Sequence, residues 1–431
     1  MRNKSKLMAA VATAFCAGSA HAAPDLSDIF RFNAYGTLGV VHSNQDQADY
    51  VSTQSEQPDG AGYSRSWSPN VDSRLAAQVT AKVTDKLTAV VQLVSEDQQN
   101  QSWTGKANPR YRPSLEWANL KYDFSDHWSA RAGRMVLPAF MLSEYRNIGY
   151  ALPFIRSPLE VYNVPFTNVD GGEVAYQRNF GNVTNTLTGV AGATTVRTTS
   201  LAIGAQQSRL YMLVDKVEVD SLTVFASYVH NPVKAPIGFG DLFQQFVQGA
   251  SQVPGGTAAA DTANALDKQY NYGHWSNVEI ADLGVTYDPG KWFLMGELAA
   301  YFNNGVIGSA KEGYLSVGYR THGFTPYATY ARIVTAYSPA ATIPLGGLPA
   351  SLADYGAMLN GVVQGIAATN NSQRTLTAGV RWDFMKNFDL KVQYDYVTTD
   401  AGSTGLFGNV QPGFRPGSSA SIFAATIDFV F

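Results

Sequence analysis

Phe423-Ala424-Ala425-Thr426-Ile427-Asp428-Phe429-Val430-Phe431 closes the chain and decides how the rest of it is read. On a β-strand successive side chains point to opposite faces, so Phe423, Ala425, Ile427, Phe429 and Phe431 share one face. That face is apolar and ends on an aromatic ring. A strand whose outer face meets hydrocarbon and whose end reaches a membrane interface needs this pattern. A soluble strand with one wet face does not.

The other end of the chain agrees. Arg2, Lys4 and Lys6 form a basic leader, residues 7–17 are apolar, and Ala20-His21-Ala22 supplies a small-residue cleavage site. This is the pattern of a secretory signal over residues 1–22, too short to span a bilayer. Residues 23–431 are then the mature chain. Cys16, the single cysteine, lies within the signal. A large exported chain without cysteine suits a bacterial route, because eukaryotic secreted proteins of this size usually carry disulfides.

Loss of Arg2, Lys4 and Lys6 moves the formal net charge from -3 to -6. A mildly acidic chain is a poor nucleic-acid ligand, and no such partner is expected. No stretch approaches the ~18 consecutive apolar residues of a membrane helix. Yet the chain holds 23 Tyr and 22 Phe, and 45% of it is hydrophobic. In lipid every backbone polar group needs a partner, which leaves helices and closed barrels as spanning structures. Without helices, the expected fold class is all-β, a transmembrane antiparallel barrel.

Alternation with period two recurs along the chain. Residues 31–41 read as a first strand. Leu75, Ala77, Val79, Ala81 and Val83 alternate with Arg74, Gln78 and Lys82, and the tight turn Thr84-Asp85-Lys86 follows. Leu87, Ala89, Val91 and Leu93 form the next apolar stripe, and Ala118, Leu120, Tyr122 and Phe124 another. Further strands are predicted near 172–180, 183–195, 208–217, 221–230, 278–288, 291–302, 311–321, 325–335, 372–384, 388–398 and 420–431. The total is about sixteen, an even number as bacterial single-chain barrels require. Most segments are shorter than ~12 residues, so a helical reading fails. Long polar loops alternate with short turns, which predicts long outer loops and short periplasmic turns. Aromatic pairs such as Tyr122 with Phe124 fall beside the short turns, as an interfacial girdle would place them.

Two long loops carry helical patterns. One covers 239–250, with Asp241 ahead of Leu242, Phe243, Phe246 and Val247. The other covers 351–366, where Ser351 caps a face of Leu352, Tyr355, Leu359, Val362 and Ile366. Each is expected to pack on its own loop. A lid over a pore or a contact between subunits is the alternative.

Several segments resemble Gram-negative porins of the trimeric, sixteen-stranded kind. Phe32-Asn33-Ala34-Tyr35-Gly36-Thr37-Leu38 is similar to their first strand. Ser73-Arg74-Leu75, with Leu87-Thr88-Ala89, Gln92-Leu93 and Glu96, is similar to their second and third, although Ala76 stands where the family usually has glycine. Ala132-Gly133-Arg134 resembles the end of their fifth strand. The resemblance implies a water-filled channel for passive diffusion of small hydrophilic solutes and ions, in the outer membrane. It also implies a homotrimer and a terminal phenylalanine, Phe431, read by the barrel-insertion machinery. Leu38, Val40, Phe423, Ala425 and Ile427 would form the subunit face. Lipid and lipopolysaccharide are the expected surroundings. The loop after strand five, 135–171, takes the place of the family's constriction loop, but its run Ser143-Glu144-Tyr145-Arg146 through Tyr162 departs from the enteric motif.

That loop is rich in proline, with Pro138, Pro153, Pro158 and Pro165, which lowers the entropy cost of holding it folded. Its charges include Glu144, Arg146, Arg156, Glu160 and Asp170. The opposite wall is expected from inward parity: Arg74, Gln78, Lys82, Gln92, Asn119, Lys121 and Arg131. A charge facing lipid at mid-depth costs ~2–4 kcal/mol, so these residues face the lumen. The expectation is a basic wall facing an acidic loop across a narrow pore, a charge filter of the kind channels use. Arg134 joins the set or braces the loop's base. Arg74 lies near the outer end of its strand and has a lipopolysaccharide phosphate as its alternative partner.

Rival readings are a solute-selective channel for anions, phosphate or a small organic solute, an outer-membrane hydrolase, and a plugged adhesive barrel. Hydrolysis needs Ser or Asp beside an oriented His. The mature histidines are scattered: His42, His127, His230, His274 and His322. Neither Gly-x-Ser-x-Gly nor His-Glu-x-x-His occurs, so no catalytic residue is assigned. No His pair has metal-ligand spacing, no phosphate or dinucleotide fingerprint follows a strand, and neither metal nor cofactor is expected.

Overall fold

The structure, a computed structural model, describes residues 29–54, 57–98, 110–164, 167–196, 206–234, 240–270, 275–303, 308–336, 340–367 and 370–431. The expected signal, residues 1–22, His274 and Pro165 lie outside them.

Sixteen antiparallel strands form one closed barrel. They are β1 (Phe30–Ser43), β2 (Arg74–Lys82), β3 (Leu87–Glu96), β4 (Ser114–Asp123), β5 (Trp128–Val136), β6 (Asn168–Phe180), β7 (Val183–Val196), β8 (Gln206–Val219), β9 (Leu222–Lys234), β10 (Ser276–Tyr287), β11 (Trp292–Phe302), β12 (Ser309–Tyr319), β13 (Phe324–Ala336), β14 (Gln373–Met385), β15 (Phe388–Thr399) and β16 (Ser419–Val430). Each strand pairs with its chain neighbours. β1 closes the ring by pairing with β16, in the register Leu38 opposite Ile427 and Val40 opposite Ala425. Closure leaves no free edge, so backbone donors are met within the wall. Among the described residues no helix is long and apolar enough to cross a membrane.

The predicted parity holds at the seam. Phe423 and Ile427 are exposed on the outer surface, while Ile422, Ala424, Thr426 and Asp428 are buried on the inner side. Leu38, 64% exposed, stands beside Ile427. His42 stacks between Trp67 and Phe423 at the outer end of this seam. Short turns, such as those following Lys82, Asp123 and Met385, gather at one end with the ends of β1 and β16. Aromatic pairs collect there as predicted: Tyr122 with Phe124 at 5.0 Å, Tyr287 with Trp292 at 5.2 Å and Phe388 with Phe431 at 5.5 Å.

The loop helices differ from expectation. They do not pack only on their own loops. α2 (Gly240–Ser251) and α3 (Thr257–Tyr270) come from the loop after β9, and α4 (Ala350–Ala367) from the loop after β13. Phe243, Phe246, Ala263, Leu266, Leu359 and Val363 make one core among the three. The Tyr355 hydroxyl donates to Leu242 O at 2.9 Å, joining the two loops. α3 escaped the sequence reading because its alanine-rich face carries little apolar contrast.

Candidate pore constriction

The third long loop, residues 137–167, begins where β5 ends and returns at β6, a shorter span than the 135–171 expected because strand pairing extends through Val136 and from Asn168. It lies inside the barrel. On one side, Met141 N donates to Glu297 of β11 at 2.7 Å, the Tyr162 hydroxyl donates to the same carboxylate at 2.5 Å, and Ser227 of β9 donates to Ala139 O at 2.7 Å. On the other, Lys391 of β15 donates to Gly149 O at 2.5 Å, and Arg381 of β14 donates to Tyr150 O at 2.6 Å and Leu152 O at 3.0 Å. The loop therefore reaches through the lumen from its base at β5 and β6 to the stretch of wall from β9 to β15. Its apolar residues Phe140, Leu142, Leu152 and Phe154 join the inward side chains of the wall in one buried core. The wall thus supplies polar hooks and apolar seats together, which offsets the entropy cost of ordering so long a loop.

Two loop charges are braces rather than lumen charges. Arg156 is buried. It donates to both oxygens of Asp72 at 2.8 and 2.6 Å, to Asp395 of β15 at 3.0 Å and to the Tyr50 hydroxyl at 3.1 Å. Its guanidinium also lies over the Tyr50 ring. The planar five-donor fork suits such a multi-point site. Glu160, on the short helix α1 (Leu159–Tyr162), is buried against β14, where Gln373 donates to it at 2.8 Å and Thr375 also bonds it. Burial pushes this carboxyl above its ordinary range, partly opposed by those donors. The expected acidic rim at Glu160 and basic charge at Arg156 are therefore corrected, because both side chains are consumed in seating the loop.

Arg134 is also corrected. It shares outward parity with Ala132, donates to Asp170 at 2.7 and 2.6 Å and reaches Leu115 O at 3.2 Å. It holds the outside of the wall below the loop, and Asp170 belongs to β6 instead of the loop. The neighbour of Arg134 must be glycine, because Gly133 has a φ of +124° and a Cβ there would stand 2.3 Å from Ala118 O.

The side chains expected on a basic inward wall are mostly paired. Arg74 donates to Asn147 of the loop at 2.7 Å and approaches Glu96 at 3.8 Å. Arg131 pairs with Glu173 at 3.4 Å and Lys121 with Asp123 at 2.9 Å. Lys82 sits at the short-turn end of β2, paired with Asp85 of the turn at 3.2 Å, away from the loop. Gln92 donates to Gln78 at 3.0 Å, and Asn119 to Arg134 O at 2.9 Å. The cations of the expected basic wall are thus met by carboxylates. On the loop, Arg146 donates to Tyr162 O and lines a small polar pocket with Arg74 and Glu96. Glu144 is exposed toward a larger cavity of about 480 Å³.

Sequence reading missed the wall's hooks: Asp72, Glu297, Arg381, Lys391 and Asp395. A signal existed for Lys391 and Asp395, which alternate with Leu390, Val392 and Tyr394 as inward residues do. Lys391 is fully buried and bonds Asp428 at 2.9 Å as well as Gly149 O.

These features define a sixteen-stranded membrane barrel with an inward-folded third loop. The comparisons agree at the level of fold. Over 93% of its length the chain is similar to all of an anion-selective porin from Comamonas acidovorans, at 13% identity and a TM-score of 0.51. Over 94% of its length it is similar to 98% of the outer membrane channel DcaP of Acinetobacter baumannii, at 11% identity and a TM-score of 0.50. At these identities the likeness carries the barrel and not the solute. No protein-family model and no curated protein matches the chain.

Proposed function

We propose that this protein is an outer-membrane porin, a channel through which small hydrophilic solutes and ions diffuse passively. One observation carries the reading. A barrel of sixteen strands encloses more space than its side chains fill, and beside the third loop a cavity of about 480 Å³ remains next to Glu144. Irregular backbone at membrane depth is tolerated where it lines a water-filled lumen. The loop narrows the passage between its segment 138–147 and the inward faces of β2 to β8. Charges along this passage, among them Glu144, Glu173, Arg131, Lys121 and Arg74, act on passing ions, and no energy coupling is required.

Export by the signal at 1–22, insertion guided by Phe431 and assembly as a homotrimer through the β1 and β16 seam belong to the same reading. Phe423, Leu38 and Ile427 support the last, since they leave a continuous apolar patch across that seam. The test is single-channel recording of the purified, refolded protein in planar bilayers of KCl. Stepwise, ohmic conductance is expected. A folded barrel that carries no current would overturn the channel.

A further inference from the structure

The cavity beneath the third loop reaches toward the short-turn end, since Glu218 of β8, Thr223 of β9 and Thr286 of β10 line it together with Glu144. Its lining is chemically mixed. Phe140 and Tyr145 of the loop and Val214 and Phe225 of the wall give it apolar and aromatic surface, beside the carboxylates Glu144 and Glu173. The charges around it cancel in pairs with one exception. Glu173 is matched by Arg131 at 3.4 Å, and Glu218 by Lys216 at 3.0 Å. Glu144 is exposed, and among the described residues no ion pair holds it.

The geometry points to an organic monocation with an apolar body as the solute that dwells in this cavity, with Glu144 as its counter-charge. This rests on the channel reading above and adds a solute class to it. A small inorganic ion keeps its water and gains nothing from the rings. An organic anion gains the rings but meets Glu144, and the cation in the lining, Lys216, is already engaged by Glu218. A neutral polar solute leaves both the apolar surface and Glu144 unused. Only a solute with a positive head and an apolar body satisfies both, through ion pairing with Glu144 and contact of the cation or its body with Tyr145 and Phe225.

The test uses the full mature protein in planar bilayers, with potassium current as the readout. Phenethylammonium chloride, sodium phenylacetate and methylammonium chloride are added in turn on either side. Phenethylammonium is expected to reduce the current saturably at millimolar concentration, and the other two much less. Glu144→Gln should weaken the phenethylammonium effect about fivefold, as for an exposed charge pair. Phe225→Ala should weaken it while leaving methylammonium unaffected. Equal reduction by phenethylammonium and phenylacetate, or none by either, in a barrel that conducts potassium would overturn the inference and leave the channel standing. A folded barrel that conducts nothing would overturn both.

Discussion

Arg156 and Asp395 meet at 3.0 Å, and this contact fastens the middle of the third loop to the inner wall of the barrel. Arg156 sits at the same time between Asp72 and Asp395, so one cation answers two buried carboxylates. A buried pair gives modest net stability, but removal of one partner leaves the other charged and dry, at a cost of about 3–5 kcal/mol.

Arg156→Ala should therefore unseat the loop without dissolving the barrel. The strand ladder does not depend on Arg156, so the refolded variant should keep its β-sheet circular dichroism. Its channel should show larger and noisier conductance steps than the parent, and trypsin should cut the loop region faster. Arg156→Lys should recover part of the effect, since an ammonium cannot bond both Asp72 oxygens as a fork does. Parent-like conductance and protease resistance in the alanine variant would show that the loop is held by its apolar contacts alone.

Gly149 lies close against the wall. A Cβ at this position would lie 2.0 Å from Asp428 Oδ1, and Lys391 bonds both Gly149 O and Asp428. Gly149→Ala is expected to push this segment inward, break the Lys391 contact and change conductance by more than the added methyl can block. Thermal stability should fall by about 1–3 kcal/mol, the usual range for overpacking. Single-channel amplitudes and the temperature of heat-modified gel migration would measure the two effects.

Glu160 makes the loop's seating depend on pH. Burial raises its carboxyl above the ordinary value of about 4.3. The seated loop holds a proton that the released loop gives up. Seating is thus fully favoured below that ordinary value, weakens as pH rises through the interval up to the raised one, and is flat above it. Opening events should grow more frequent from pH 4.5 upward, and Glu160→Gln should remove the trend while keeping bonds to Gln373 and Thr375. An unchanged pH profile in the glutamine variant would place the titrating group elsewhere.

The strands were legible because period-two alternation repeats at every crossing, and tertiary contacts only reinforce it. The inward direction expected of Arg74, Gln78, Gln92, Lys121 and Arg131 followed from the same parity. Their charge balance did not, since it depends on which carboxylate stands on the neighbouring strand: Glu173 faces Arg131 through the pairing of β5 with β6, a relation of register. The roles of Arg156 and Glu160 were illegible for a further reason. A loop has no period, so nothing in the sequence tells a charge that faces water from one that grips Asp72, Asp395 or Gln373. Arg134 was misread against its own parity, since alternation with Ala130 and Ala132 already turns it outward.

Trimer formation through the seam predicts a specific sensitivity. Leu38 and Ile427 stand opposite each other on the outer face, with Val40 and Ala425 one step along. A charge there costs little if the face is lipid-exposed near an interface and more if it packs on a second subunit. Ile427→Arg should convert a cross-linkable trimer into monomers in mild detergent while leaving the monomer barrel folded. Monomers in the parent protein under the same conditions would count against assembly at this seam.

Ion preference offers the sharpest check on the charge balance. Replacing Arg131 by Ala frees Glu173, and replacing Arg74 by Ala frees Glu96. Each change removes a positive charge and exposes a negative one, so both should move the reversal potential in a KCl gradient toward potassium. The Arg131 change should be the larger, because Glu173 and the unpaired Glu144 line one cavity, whereas Arg74 also holds the loop through Asn147. High salt should shrink both shifts, as the Debye length falls from about 10 Å at 0.1 M to about 3 Å at 1 M. A shift toward chloride in either variant would mean that the matching carboxylate does not face the passage.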